Sequence, residues 1–205
     1  MNDFEKKIAD QLGAENLERI QAVKVGIAGA GGLGSNCAFN LARVGFKKLK
    51  IIDFDVIDHS NLNRQFYFFD QIGMDKVEAL KVNLERINPD MEIEILTKKI
   101  ESANVRELFS DCDIVVEAFD KAEYKSMIVS HLLDTDKFIV SASGLAGFGN
   151  CDEIKVHNMK KNFVMIGDLK SDSSENPPLS PRVNVAAAKQ ADVILEHVLN
   201  LGKTI

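Results

Sequence analysis

The segment VKVGIAGAGGLGS, residues 23–35, runs a short apolar stretch directly into Gly29, Gly31 and Gly34 at G-x-G-x-x-G spacing. LGSNCAFNLARVG follows with helical character and closes on Gly45. A chain that must turn from a buried strand into a helix over so few residues has few folds open to it. The glycines permit a tight turn, close approach of backbone to a phosphate, and packing of helix on strand. The N–H groups that open the helix then face an anion.

The rest of the chain repeats that alternation. LKIID is the next apolar strand, and MDKVEALKVNLERIN places Val77, Leu80, Leu84 and Ile87 on one helical face before Pro89. MEIEIL reads as a strand, VRELFS as a short helix, and DIVVEAF as a buried strand ending at Asp120. EYKSMIVSHLL is a helix and KFIVSAS a further strand. After Gly144, EIKVHNM and NFVMIG read as a hairpin or edge pair, KSDSSENPPLSPR as a polar loop, and VNVAAAKQADVILEHVLNLG as a last helix. These features predict a Rossmann-like, doubly wound α/β fold with a mainly parallel sheet and a short antiparallel C-terminal extension. One domain spans residues 1–205. It divides into an N-terminal helix over 1–20 (Phe4, Ile8, Leu12, Leu17), a core over 21–144, and a C-terminal part over 145–205.

Composition narrows the function classes. A net charge of −6 and the lack of any Lys/Arg run argue against nucleic acid as a partner. No apolar stretch reaches the length of a membrane span, and the charged N-terminus has no signal core, so a cytoplasmic location is expected. Cys37, Cys112 and Cys151 lack C-x-x-C spacing and suggest neither a disulfide framework nor zinc. His59, His131, His157 and His197 form no ligand spacing. Met127, Phe138 and Cys151 read as core or half-buried residues, and FYFF (66–69) as packing beneath a nucleotide loop.

Asp53 lies about twenty residues past the glycines, at the end of the next strand, where a carboxylate accepts ribose hydroxyls. So far NAD, FAD and ATP all fit. The stretch IIDFDVIDHSNLNRQF separates them. Hydride transfer has no need for Asn61, Asn63, Arg64 and Gln65 packed behind the ribose acid, whereas nucleotidyl transfer needs cations near phosphates. Arg64 supplies one. Lys76, at a helix start where its charge opposes the helix dipole, supplies another that an anionic ligand offsets.

Together the glycine turn, DFDVIDHSNLNRQF, KVEALKVNLERINPD and DIVVEAFD resemble the ubiquitin-activating-enzyme-like adenylyltransferases, and among them the bacterial ThiF/MoeB/HesA group. The resemblance runs from about residue 10 to 150, with a weaker echo in the last helix. It implies that Gly31 and Gly34, with Gly29 and Gly32 beside them, form the phosphate turn, and that Asp53, with Asp55 nearby, meets the ribose. It further implies that Asn61, Arg64 and Gln65 form a polar nucleotide-binding motif, that Lys76 is a phosphate lysine, and that Asp120 is a magnesium ligand. Arg64, Lys76 and Asp120 are then the catalytic set. ATP and Mg2+ are the implied cofactors. The implied partner is a small ubiquitin-like sulfur carrier ending in Gly-Gly, whose terminal carboxylate is adenylylated for thiamine or related sulfur-cofactor synthesis. A homodimer is also implied; Arg19 is the sole arginine before the glycine turn, but no motif aligns it with an arginine lent by a partner.

The chain departs from the family in two ways. Many relatives carry two C-x-x-C pairs for zinc and some a crossover-loop cysteine; here residues 168–182 contain no cysteine, and no zinc is expected. Three alternatives stay open: an NAD-dependent oxidoreductase, a tRNA-modifying dehydratase of the same family, and a nucleotide-binding member without turnover. The oxidoreductase lacks an evident proton-transfer residue. The net charge of −6 and the missing basic tail count against the dehydratase.

Overall fold

The structure, a computed structural model, describes residues 1–200. Seven strands form one sheet: β1 (Lys24–Ala28), β2 (Lys48–Asp53), β3 (Glu92–Thr97), β4 (Ile114–Glu117), β5 (Phe138–Ala142), β6 (Lys155–Lys160) and β7 (Phe163–Gly167). Their order is β3-β2-β1-β4-β5-β7-β6, and every pairing is parallel except β6 with β7. The doubly wound sheet with a short antiparallel extension is therefore present.

The order reverses between β1 and β4. The chain winds from β1 outward through β2 and β3, then returns to β4 and winds the other way. Such a switch opens a crevice above the carboxyl ends of the strands. The glycine turn follows β1, Asp53 closes β2, and Asp120 stands three residues past β4, so topology alone collects them at that crevice.

Helices cover both faces. On one side α1 (Asp3–Leu12), α2 (Ala14–Ala22), α3 (Gly32–Arg43), α4 (Lys76–Glu85) and α7 (Ser180–Asn200) enclose a core that includes Ile27, Leu41, Ile51, Leu80, Val140 and Ile194. On the other, α5 (Val105–Leu108) and α6 (Ala122–Leu132) close over Ile52, Phe109, Val115, Ile128 and Ile139. α7 packs on α3. Phe138 is buried, Met127 packs partly buried against the core, and Cys151 is half-buried.

Three expectations change. The N-terminal helix is two helices broken at Gly13, whose φ of 91° no helix accommodates. The apolar periodicity of Phe4 to Leu17 concealed the break because both pieces turn apolar residues to the same core, Leu17 buried and Ile8 and Leu12 partly so. The last helix starts at Ser180, earlier than its first apolar residue, while Leu201 and Gly202 lie outside the described residues. Among FYFF, Tyr67 is buried and Phe66 packs against the core, yet Phe68 and Phe69 are 46% and 76% exposed. Two aromatic rings fill the space beneath the loop, and the other two remain in solvent. Among the described residues no helix is long and apolar enough to cross a membrane.

Candidate functional site

α3 begins within the glycine turn. Its N-cap, Gly31, offers no side chain, so the first N–H groups of a twelve-residue helix are left for a ligand. Gly34 meets a steric demand, since a Cβ there would overlap the carbonyl oxygen of Gly29. Gly31 differs: the nearest atom to a Cβ at that position is Gln65 Nε2 at 3.9 Å, and the glycine opens onto a cavity.

That cavity has a volume of about 430 Å³. Gly29, Gly31, Gly32, Asp53, Asp55, Asn61, Arg64, Gln65, Lys76 and Asp120 all line it, so the structure gathers the sequence candidates in one place, with Gly34 set behind the turn. Leu145, Ser173, Pro178 and Val183 also line it. None of these four carried a sequence signal, because three come from loops beyond the recognisable motifs and Val183 from the first turn of α7.

The acidic corner is organised by backbone. Asp53 Oδ2 accepts from Ala30 N–H at 2.6 Å and Oδ1 from Asp55 N–H at 2.8 Å. Burial raises the Asp53 pKa, with those two N–H bonds and the Lys76 charge opposing it. Tyr67 joins the turn to α4: its hydroxyl donates to the Ala30 carbonyl at 2.7 Å and lies 3.2 Å from the Lys76 carbonyl, which shares the same proton.

The cations are held in different ways. Lys76, the first residue of α4, is buried to 8% side-chain exposure and pairs with Asp55 at 2.8 Å. Among the described residues Arg64 uses only Nη1, donating to Ser60 O at 3.0 Å and Asn63 Oδ1 at 2.7 Å. Asn36 Nδ2 donates to Arg64 O at 2.8 Å, and Phe66 N–H donates to the buried Ser35 Oγ, so α3 anchors this loop. Asn61 Oδ1 accepts from Asp58 N–H at 3.0 Å and so closes its own turn. Gln65 Oε1 is buried without a partner among the described residues, an acceptor that a ligand hydroxyl or amine would satisfy.

Asp120 is exposed and its carboxylate makes no hydrogen bond or ion pair among the described residues. It borders the first cavity and also a second, of about 240 Å³, that shares Asp53, Asp55 and Phe119 with it. Phe54, Lys98, Lys99, Lys121 and Tyr124 line the second cavity, and sequence reading missed all five. Glu117 was missed too. Fully buried at the end of β4, it accepts from Phe119 N–H at 2.7 Å and Ser141 Oγ at 2.5 Å and faces Lys125 at 3.4 Å. Its pKa is raised by burial, against the pull of Lys125. The turn that carries Phe119 and Asp120 is thereby fixed.

No cluster of three or more potential metal ligands exists among the described residues. A lone carboxylate suits magnesium, which commonly takes one or two protein carboxylates and completes its shell with substrate phosphates and water. Chemically, the site brings N–H donors, two cations and the carboxylates of Asp53, Asp55 and Asp120 to one crevice.

Comparison with known proteins accords with this geometry. The chain matches the ThiF family over residues 4–195. It is 29% identical over 196 residues to the molybdopterin-synthase adenylyltransferase of Haemophilus influenzae, covering 92% of this chain and 79% of that enzyme. It is 36% identical over 114 residues to the SAMP-activating enzyme E1 of Haloferax volcanii, covering 55% of this chain and 42% of that protein, less than half its length. The fold is similar to that of the E. coli tRNA N6-threonylcarbamoyladenosine dehydratase solved with ATP, with a TM-score of 0.81 at 19% identity, over 96% of this chain and 92% of that one.

Proposed function

We propose, for a chain that belongs to the ThiF family, that it adenylylates the C-terminal glycine carboxylate of a small ubiquitin-like sulfur carrier at the expense of ATP. The observation that carries the reading is the convergence of Asp53, Arg64, Gln65, Lys76 and Asp120 with the glycine turn on one cavity. The curated relatives include adenylyltransferases and an activating enzyme named for its protein modifier, which supports the class of reaction.

In this reading Asp53 receives the ribose hydroxyls, and the open face of Gly31 admits the phosphates to the N–H groups of α3. A carrier carboxylate oxygen attacks the α-phosphorus. The bond from that phosphorus to the oxygen bridging the α- and β-phosphates breaks, and pyrophosphate leaves with the electron pair. Two anions must meet, so the site needs positive charge more than a base. Arg64 and Lys76 stabilise charge on the departing pyrophosphate, and the helix N–H groups stabilise the α-phosphate oxygens. Asn61, with Oδ1 committed to its own turn, presents its amide nitrogen to a phosphate or to the incoming carboxylate. Asp120 would hold magnesium, which when bound lessens the repulsion between phosphate oxygens and carboxylate. No side-chain nucleophile is required.

Thiamine or a related sulfur-cofactor route supplies the carrier in this proposal, and the protein works as a cytoplasmic homodimer. A second reading follows from the likeness to the tRNA dehydratase: the activated carboxylate then belongs to a threonylcarbamoyl group on tRNA. The net charge of −6 disfavours a tRNA surface.

ATP–pyrophosphate exchange tests both. Exchange that depends on a carrier ending in Gly-Gly supports the first reading; exchange that depends only on threonylcarbamoyl-tRNA replaces it with the second. Arg64→Ala or Asp120→Ala should lower exchange roughly a hundredfold in a folded protein. Wild-type rates in either variant refute the residue roles.

A further inference from the structure

Among the described residues only two non-glycine residues have positive φ, Asn150 at 47° and Leu169 at 60°, and both adjoin one buried ion pair. Asp168 Oδ2 meets Arg182 Nη2 at 2.5 Å, with side chains 13% and 4% exposed. Arg182 Nη1 donates to Gly149 O at 2.7 Å and Asn150 O at 3.2 Å. Asp168 Oδ1 accepts from the N–H groups of Lys170 and Ser171, both at 2.8 Å, and from Ser171 Oγ at 3.1 Å. Leu169 N–H reaches Ser143 O, and Gly147 N–H donates to Pro177 O at 3.0 Å. One ion pair therefore ties the loop after β5, the loop after β7 and the first turn of α7 into a single body. Unfavourable backbone conformations persist only where their surroundings over-determine them, and they concentrate where a site is held in shape.

The sheet order shows which wall that body forms. Asp53 follows β2, the glycine turn β1 and Asp120 β4; the loops after β5 and β7 come next along the same edge. Leu145, Ser173 and Pro178 carry these loops into the cavity on the side away from the ribose acid. A carboxylate bound for the α-phosphorus has that side open to it.

We propose that Asp168 and Arg182 are positioning residues that clamp these two loops into the acceptor-side wall of the cavity, presenting an extended carboxylate terminus to the nucleotide without adding to nucleotide affinity. The proposal rests on the adenylylation reading for its acceptor. The clamp itself is testable apart from that reading.

Lys170 is the only Lys or Arg in residues 168–179, so tryptic cleavage after it reports on the loop directly. Arg182→Gln, Arg182→Lys and Asp168→Asn are compared with the unaltered chain by that cleavage, by calorimetric ATP titration, and by KM and kcat for a carrier in pyrophosphate exchange. Arg182→Gln should speed cleavage about tenfold or more and lower kcat/KM for the carrier by about tenfold to a hundredfold, with ATP affinity changed by less than about threefold. Arg182→Lys should recover part of the protection and part of the carrier turnover. Cleavage of Arg182→Gln at the original rate overturns the clamp. A loss of ATP affinity as large as the loss of carrier turnover overturns the positioning role and leaves a general support of the fold. Should Arg182→Gln not fold, Asp168→Asn, which keeps an acceptor oxygen for the loop N–H groups, decides between the same outcomes. If the unaltered chain supports no carrier-dependent exchange, the adenylylation reading fails, while cleavage after Lys170 still decides the clamp.

Discussion

Asp53 Oδ2 accepts the main-chain N–H of Ala30 at 2.6 Å, so the carboxylate proposed to meet the ribose also holds the glycine turn in place. Its other oxygen accepts from Asp55 N–H, which leaves each oxygen one lone pair for a hydroxyl. In that proposal, ligand recognition and local structure are coupled through one side chain.

Asp53→Asn should therefore impair both. One amide nitrogen must face a backbone N–H, at a cost of about 1–3 kcal/mol in stability. ATP affinity should fall tenfold or more on the same grounds, to roughly the extent that a charge-assisted hydrogen bond contributes. Thermal melts with and without ATP measure the two effects, and an unchanged ATP-induced shift in melting temperature would remove Asp53 from the ribose site.

The glycines separate by variant. Gly34→Ala drives a Cβ into the Gly29 carbonyl and should cost about 3 kcal/mol or more. Gly31→Ala, with φ near −75° and open space ahead, should fold within about 1 kcal/mol of the parent and yet lose ATP binding about tenfold or more, because its methyl occupies the phosphate approach. Retained ATP affinity in a folded Gly31→Ala protein contradicts the phosphate-cradle assignment.

Without nucleotide, Lys76 spends its charge on Asp55. Asp55→Asn leaves a buried ammonium poorly compensated, so the ligand-free protein should lose about 1–2 kcal/mol, allowing for the half-exposed partner. In the proposed function, ATP phosphates restore the compensation. The ATP-induced rise in melting temperature should thus be larger for Asp55→Asn than for the parent, and a smaller rise would show that Lys76 does not reach phosphate.

Far from the site, Lys24, the first residue of β1, and Lys50, the third of β2, alternate with Glu94 and Asp111, with separations of 2.5–3.1 Å. Partial burial opposes ionisation of both carboxyls, but hydrogen bonds from the two lysines bring Glu94 and Asp111 below their ordinary values. A carboxyl whose folded pKa is depressed adds stability above its unfolded pKa and loses it as pH falls through the folded value. Buried Asp53 and Glu117, with raised values, act with the opposite sign and recover stability on protonation. The lysine-bound pair predicts a melting temperature that declines below about pH 5. Asp111→Asn should lower stability by about 1 kcal/mol at neutral pH, discounted for its exposure, and flatten that decline. An unchanged acid limb in Asp111→Asn would assign the decline to other groups.

Read by itself, the sequence determined the strand–turn–helix, the parallel order implied by alternating elements, the antiparallel end, and the charged residues that line the cavity. Those features are local: a glycine spacing, an apolar period and an acid at a strand end act over a few neighbouring residues, so one dimension records them. It could not show that Gly13 divides the first helix, because burial pattern survives the break. Nor could it show that Lys76 closes on Asp55, that Glu117 fixes the Asp120 turn through Ser141 and Lys125, or that Asp168 and Arg182 join three segments. Each of these depends on which strand ends lie side by side and on which charges lose water together. Only the closed tertiary structure sets those distances and that burial.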